Sequence, residues 1–74
     1  MTAIIKLYGP LKTYVNGQSE VSVMAGQTVR AALAGLGIPP ELVALVVVNE
    51  EARPKDYILQ AGDVARMTMV LGGG

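Results

Sequence analysis

The chain has 74 residues, of which 51% are hydrophobic and 16% are charged, and this composition predicts one small folded domain and excludes a largely disordered chain. Six basic and six acidic residues cancel, which removes the charge attraction that dominates nucleic-acid binding, so we expect no DNA or RNA partner. Because Cys and His are absent, the usual nucleophiles, bases and soft metal ligands are missing, and we expect no metal site and no catalysis by the chain itself.

The N-terminal third predicts two strands joined by a loop. Residues 3–8 form a short run rich in β-branched side chains, and the run ends at Gly9-Pro10, which is typical of a strand that enters a turn. Residues 20–24 alternate between polar and apolar side chains and stop before Gly26. Since no long crossover separates the two strands, we expect them to pair antiparallel.

A short amphipathic helix is predicted after the second strand. Thr28 stands where a helix N-cap belongs, and Gly37 can adopt the left-handed conformation that ends a helix. Between them the apolar residues recur at i, i+3, i+4 and i+7, and we expect about two and a half helical turns that cover a sheet. These apolar residues are Val29, Ala32, Leu33 and Leu36.

Three further segments complete the predicted sheet. Residues 44–48 predict a strand that is apolar on both faces, and residues 49–51 predict a turn. Residues 52–53, which stand before Pro54, predict a brief edge strand, and residues 64–71 predict the final strand. A helix packed on one face of a mixed sheet defines a two-layer α+β domain.

Alternation in the final strand predicts which of its side chains face the core. One set includes Arg66 and Thr68, which prefer water, so we expect that set to face outward and the other to face inward. The outward set is Val64, Arg66, Thr68 and Val70, and the inward set is Ala65, Met67, Met69 and Leu71.

The polar residues inside the chain form no convincing catalytic arrangement. Ser19 and Ser22 have no neighbouring base, and residues 50–51 predict a solvated turn. Asp63 follows Gly62 and is better explained as a turn aspartate that bonds its own backbone than as a general acid. The chain is therefore predicted to be a substrate or carrier and not an enzyme.

Three features predict a cytoplasmic protein. The longest apolar run, residues 42–48, is much shorter than the roughly 20 residues that a membrane-spanning helix needs. The N-terminal residues also show no signal-peptide pattern, and the absence of Cys fits a reducing compartment. We expect no membrane partner.

The sequence ends in Gly72-Gly73-Gly74 after an apolar run. Because glycine has no Cβ, a glycine tail is thin and its terminal carboxylate is easily reached by another protein's active site. An ordinary frayed end is the alternative explanation. We expect a folded domain over residues 1–71 and a flexible tail over residues 72–74.

Five segments of the sequence occur in the order found in a known family. They are residues 5–12, the start of the helix at residues 26–29, the strand end at residues 47–49, the Leu59-x-x-Gly62-Asp63 turn and the terminal glycines. Together they resemble the MoaD/ThiS family of sulfur-carrier proteins over nearly the whole chain. The resemblance implies a β-grasp, ubiquitin-like fold with a mixed sheet of four to five strands and one main helix on one face.

The resemblance also implies a chemistry for the Gly74 carboxylate. In this family a ubiquitin-activating-type adenylyltransferase uses ATP to adenylate that carboxylate, and a sulfur donor then converts it to a thiocarboxylate. The carrier itself binds no cofactor. We expect the partner enzyme to contact the tail and the outward face of the last strand. The residues concerned are Arg66, Thr68, Val70, Leu71, Gly72 and Gly73.

The resemblance leaves two subtypes open. Residues 7–11 are more like the small subunit of molybdopterin synthase, which donates sulfur to a pyranopterin together with a large subunit. The triple glycine is more like the thiamine sulfur carriers, which act with a thiazole synthase, and the Pro-Pro that often precedes the tail in the molybdopterin type is absent. We favour the molybdopterin type slightly. A ubiquitin-like protein modifier and an unmodified β-grasp interaction module are further alternatives.

Overall fold

A mixed five-stranded sheet organises residues 1–69, the part of the chain that this computed structural model describes. One α-helix and two short 3-10 helices connect the strands. The strands are β1 (Thr2–Leu7), β2 (Glu20–Met24), β3 (Val43–Val48), β4 (Glu51–Arg53) and β5 (Val64–Met69), the α-helix is α1 (Val29–Gly35), and the 3-10 helices span Gly9–Val15 and Pro40–Leu42. The predicted order of strands and helix is confirmed.

The strands lie in the order β2-β1-β5-β3-β4, so β5, the last strand among residues 1–69, is the central one. β1 pairs antiparallel with β2, as predicted, and parallel with β5. β3 pairs antiparallel with both β5 and β4. The strand that leads toward the C-terminus is therefore supported on both sides.

Local sequence signals fix both ends of α1. The Ala31 backbone N–H donates to the Thr28 hydroxyl oxygen at 3.1 Å, which confirms the predicted N-cap. At the other end Gly37 has φ of +80°, and the Ile38 N–H donates to the Leu33 carbonyl oxygen at 2.9 Å. This Schellman arrangement ends the helix at Gly35, earlier than the two and a half turns expected.

The core lies between α1 and the inner face of the sheet, and it is aliphatic. Ala65 and Met67 are buried, whereas Arg66 and Thr68 are exposed, so the predicted alternation of β5 is confirmed up to Met69. The predictions for Val70 and Leu71 lie outside the described residues. The fully buried side chains include Ile5, Leu7, Leu11, Val29, Leu33, Ile38, Leu59 and Met67.

Two further sequence predictions need correction. The connection between β1 and β2 is not simply a loop, because it contains the 3-10 helix Gly9–Val15, whose Leu11 is buried in the core. The edge strand β4 starts at Glu51, one residue early, because Asn49 and Glu50 both have positive φ and complete the turn alone.

The outer face of β3 is apolar, as predicted, and it is open to solvent. A register shift between Val43 and Leu45 forms a bulge, which lets Val43 and Val46 both face the core. Leu45 then faces outward, opposite Thr68, and is 47% exposed. Within residues 1–69, no helix has the length and apolarity needed to cross a membrane.

Candidate functional site

The outward face of β5 carries two of the predicted partner-binding residues. Arg66 and Thr68 are both exposed on this face. Because β5 is central, their neighbours come from β1 on one side and from β3 on the other. Lys6 lies beside Arg66, and Leu45 lies beside Thr68.

Apolar side chains surround the last described residue of β5. Because β1 and β5 are parallel, the end of β1 brings Tyr8 to the end of β5, and Tyr8 is 47% exposed. Tyr8, Gly9, Pro10, Thr68 and Met69 line a shallow, mainly apolar groove there. The Thr68 hydroxyl donates to the Leu45 carbonyl oxygen at 3.3 Å, which joins Leu45 to the same area.

We call this area the tail-root surface and define it by Tyr8, Pro10, Leu45, Thr68 and Met69. It borders the point where the chain continues into residue 70. Exposed aromatic and aliphatic side chains that are grouped on one surface are typical of protein docking sites. The sequence predicted Thr68 as a site residue but not Tyr8 or Leu45, and the available signal for Leu45 was the apolar character of β3.

A charged row lies next to the tail-root surface. Lys6 bridges Glu20 at 3.7 Å, and Arg66 lines a shallow polar pocket with Lys6, Asn49, Glu50 and Val64. Surface ion pairs of this kind add little stability. The outward face therefore presents an apolar area with a charged border, as protein interfaces often do.

At the other end of β5, a hydrogen-bond network is centred on the buried Asp63 side chain, which is 6% exposed. One carboxylate oxygen accepts from the Tyr57 hydroxyl at 2.8 Å and from the Gln60 backbone N–H at 2.9 Å. The other accepts from the Asn49 side-chain amide at 2.8 Å. The predicted bond from Asp63 to its own turn is confirmed, and the bonds to Tyr57 and Asn49 were not foreseen.

This network shifts the pKa values of Asp63 and Tyr57. Burial alone raises the pKa of the Asp63 carboxyl, but the hydrogen bonds from Gln60, Tyr57 and Asn49 outweigh burial, and the pKa lies below its ordinary value. The pKa of Tyr57 is raised, chiefly because its hydroxyl donates to Asp63. Asp63 is thus held as a carboxylate, which makes it a poor general acid.

The network also fixes the start of β5. Asn49 and Val64 exchange two hydrogen bonds, from the Asn49 backbone N–H to the Val64 carbonyl and from the Val64 N–H to the Asn49 side-chain oxygen, each at 3.0 Å. The Ile4 N–H donates to the Asp63 carbonyl at 2.8 Å. The network therefore ties β1, β3 and β5 together, and its role is structural.

The described residues offer no obvious metal centre. Residues 1–69 contain no group of three or more His, Cys, Asp or Glu side chains close enough to hold a metal ion. No buried side-chain N or O atom in this part of the chain lacks a hydrogen-bond partner. The predicted site residues Val70, Leu71, Gly72, Gly73 and Gly74 lie outside the described residues.

Comparison with known proteins identifies the class to which this fold belongs. The structure is similar to that of SAMP1 from Haloferax volcanii, with a TM-score of 0.71, 23% identity and complete coverage of both chains. It is also similar to a chain in the complex of subunits 1 and 2 of the molybdopterin-converting factor from Helicobacter pylori 26695, with a TM-score of 0.62, 21% identity and complete coverage of both chains. The protein is thus a β-grasp domain of the ubiquitin-like type, as predicted.

The family follows from the sequence profile that the chain matches. The ThiS family profile matches residues 5–74, and the chain belongs to the ThiS family. Its fold is that of the small ubiquitin-like sulfur carriers. No curated protein is a significant match.

Proposed function

We propose that this protein is a sulfur carrier whose reactive group is the C-terminal carboxylate of Gly74. A ubiquitin-activating-type adenylyltransferase joins this carboxylate to the α-phosphate of ATP and releases pyrophosphate. A hydrosulfide ion released by a sulfur donor then attacks the carbonyl carbon, the bond to AMP breaks, AMP leaves, and a thiocarboxylate remains. A second enzyme uses that sulfur to build a cofactor, so the protein acts as a carrier and not as the catalyst.

The observation that carries the proposal is the position of β5. This strand lies at the centre of the sheet, and its last described residue, Met69, borders the tail-root surface. The family profile continues from there through residue 74. A partner that docks on the tail-root surface would therefore find the residues that follow β5 beside its own contact area.

The chemistry explains why the chain needs a partner. A carboxylate is a poor electrophile, whereas an acyl adenylate has a good leaving group and can be attacked by sulfur. Gly72 and Gly73 have no side chains, which suits passage through a narrow channel to the adenylation site. We assign residues 1–71 to the folded domain and residues 72–74 to the reactive tail, and we place the reaction in the cytoplasm with ATP bound by the partner.

The partner interface combines Arg66 and Thr68 with Val70 and Leu71, which follow them in sequence. The exposure of Arg66 and Thr68 on one face supports this assignment. An Arg66→Glu variant is expected to bind the adenylyltransferase more weakly and to gain sulfur more slowly. Unchanged affinity and unchanged sulfur loading would remove Arg66 from the interface.

For the sulfur acceptor, we favour the molybdopterin pathway slightly. The Leu7–Leu11 segment and the likeness to a chain of a molybdopterin-converting factor support this choice, while the triple glycine supports a thiazole acceptor. The tagged carrier should be mixed in separate experiments with a molybdopterin-synthase large subunit and with a thiazole synthase. A stable complex with the first supports our choice, and a complex with the second alone reverses it.

The decisive experiment measures the intact mass before and after incubation with the adenylyltransferase, ATP and a sulfur donor. We expect a gain equal to the difference between one sulfur and one oxygen atom, and we expect a variant lacking Gly74 to show none. Ala31→Asp on the exposed side of α1 is the matched control and should gain sulfur normally. No gain with a partner that modifies its own carrier would refute the proposal. Attachment to lysines of other proteins would favour the modifier alternative.

A further inference from the structure

The two edges of the sheet are protected to very different degrees. β4 has only three residues, carries Glu51 and Arg53, and is followed by Pro54. A short, charged edge that ends in proline resists pairing with another strand. β2 has five residues, and its one charged side chain, Glu20, stands at its first position. The β2 edge therefore lacks most of the features that prevent edge pairing.

Some backbone N–H and C=O groups of β2 form no hydrogen bonds with β1. Hydrogen bonds from the Leu7 N–H to the Ser19 carbonyl and from the Ala25 N–H to the Met1 carbonyl, at 2.8 and 3.0 Å, fix which residues of the β1–β2 hairpin exchange bonds. Because bonded and non-bonded pairs alternate in an antiparallel ladder, the even-numbered residues of β2 direct their N–H and C=O groups away from β1. These residues are Glu20, Ser22 and Met24.

The edge of β2 is complementary to the same edge of a second copy of the chain. If two copies of β2 meet antiparallel with Ser22 opposite Ser22, each Glu20 faces the Met24 of the other copy. No two like charges then stand opposite each other, and every edge-directed residue gains a bonded partner. Centring the pairing on Glu20 would instead bring two carboxylates together, which is unfavourable. The Gln27 side chain already donates to the Met24 carbonyl at 2.9 Å, and that oxygen retains a second lone pair.

The side chains of β2 also favour this contact. Val21 and Val23 are only partly buried, although both pack against the core. In the antiparallel pairing, Val21 of one copy lies beside Val23 of the other on the inner face. Met24, which is 63% exposed, loses part of its exposed apolar surface on the outer face.

We propose that β2 is a self-association edge through which two copies of this chain form a continuous sheet centred on Ser22. The tail-root surface lies on β3, β5 and the segment that follows β1, so the contact leaves it free. The two-fold axis reverses the strand direction, and the two β5 strands end on opposite sides of the dimer. Both copies therefore stay open to a docking partner, and the inference is independent of sulfur chemistry.

The test is the molar mass in solution of the full chain, measured by sedimentation equilibrium from about 1 μM to about 1 mM. We expect a concentration-dependent dimer for the natural sequence. Ser22→Lys and Ser22→Glu each place like charges at the two-fold axis and should raise the dimer dissociation constant by roughly tenfold. An equimolar mixture of these two variants should pair again, because the charges are then opposite.

Ala52→Lys on the other sheet edge is the matched control and should leave the dissociation constant unchanged. Far-UV circular dichroism verifies that each variant is folded, and Ser22→Thr provides a neutral substitution at the same site. A natural chain that stays monomeric over the whole range overturns the proposal. A dimer that Ser22→Lys and Ser22→Glu do not weaken, or that their mixture does not restore, overturns it as well, because another surface is then responsible.

Discussion

The two ends of β5 use their side chains in opposite ways. At its start, the buried Asp63 carboxylate accepts hydrogen bonds from Tyr57, Gln60 and Asn49, so its polar atoms are satisfied within the chain. At its other end, Tyr8 and Leu45 are each 47% exposed and form part of an apolar surface. The polar groups at the start of β5 are hydrogen-bonded to one another, whereas the apolar side chains at its end are exposed to solvent.

This difference separates stability from recognition along a single strand. The polar cluster stabilises the domain because the buried Asp63 carboxylate has its donors, and loss of a donor would leave that carboxylate short of hydrogen-bond partners. An open apolar surface adds little to folding, but it can be buried by a partner. Substitutions at the start of β5 should therefore reduce the free energy of unfolding, and substitutions at its end should reduce partner affinity.

The largest effect is expected for Asp63→Ala. This change removes the acceptor for three hydrogen bonds and disconnects Asn49 from the turn, so the free energy of unfolding should fall by about 2–3 kcal/mol. Urea unfolding followed by far-UV circular dichroism measures the change, since the chain has no Trp. Sulfur loading per folded molecule should stay unchanged if the network is purely structural.

Asp56→Ala is the control for that experiment. Asp56 pairs with Arg30 on the surface, and its side chain is 75% exposed, so its removal should change stability very little. If both variants were equally stable, the Asp63 network would not be a major source of stability. If Asp63→Ala lost sulfur loading while folded, the network would have a role in recognition.

A smaller effect, on binding alone, is expected for Leu45→Asp. A carboxylate in the middle of the tail-root surface would have to be desolvated when a partner docks, so the dissociation constant for the adenylyltransferase should rise about tenfold. Isothermal titration calorimetry with the partner gives this constant. Unfolding by urea should be nearly the same as for the natural chain, because Leu45 is outside the core.

Ala31→Asp is the matched control on the opposite layer of the domain and introduces the same charge. It should bind the partner as the natural chain does. Equal weakening by both changes would mean that net charge, and not the tail-root surface, determines affinity. No weakening by Leu45→Asp would place the docking surface elsewhere.

The sequence predicted the features that depend on neighbouring residues. Arg66 and Thr68 face outward because strand side chains alternate with a period of two, and Thr28 and Gly37 mark the helix ends by local hydrogen bonding. The reactive role of Gly74 came from resemblance, and it stays a prediction. The helix ends and the alternation of β5 each required only a short stretch of chain, whereas the resemblance drew on nearly the whole sequence.

The missed features depend on residues that are distant in sequence. Tyr8 and Leu45 come together only because β1 and β3 flank β5, and the bulge that turns Leu45 outward has no clear sequence signature. Asn49 meets Asp63 for a similar reason, and only their shared presence among the family-like segments could have suggested a connection. Glu51 joined β4 because Glu50 adopts a positive φ, which is uncommon for this residue type.

The smallest effect concerns the pH dependence of stability, which Tyr57→Phe should reduce. Because the pKa of Asp63 is lowered in the folded state, its carboxylate contributes stability that is present above the unfolded pKa of about 3.9 and is lost as the pH falls through the folded pKa. Removing the Tyr57 hydroxyl takes away one of the bonds that lower this pKa. The variant should be less stable at neutral pH, and it should lose less of its stability on acidification than the natural chain.

Urea midpoints near pH 3, at neutral pH and above the ordinary tyrosine pKa of about 10 test this expectation for the two proteins. The raised pKa of Tyr57 has the opposite sign, so its contribution is present below its unfolded pKa and is lost as the pH rises through the folded value. The natural chain should therefore lose stability at both extremes, and Tyr57→Phe should show a flatter profile at both. If the stability of the two proteins changed with pH in the same way, the Tyr57 hydroxyl would not determine the Asp63 titration. The lowered pKa of Asp63 would then depend on the hydrogen bonds from Asn49 and Gln60.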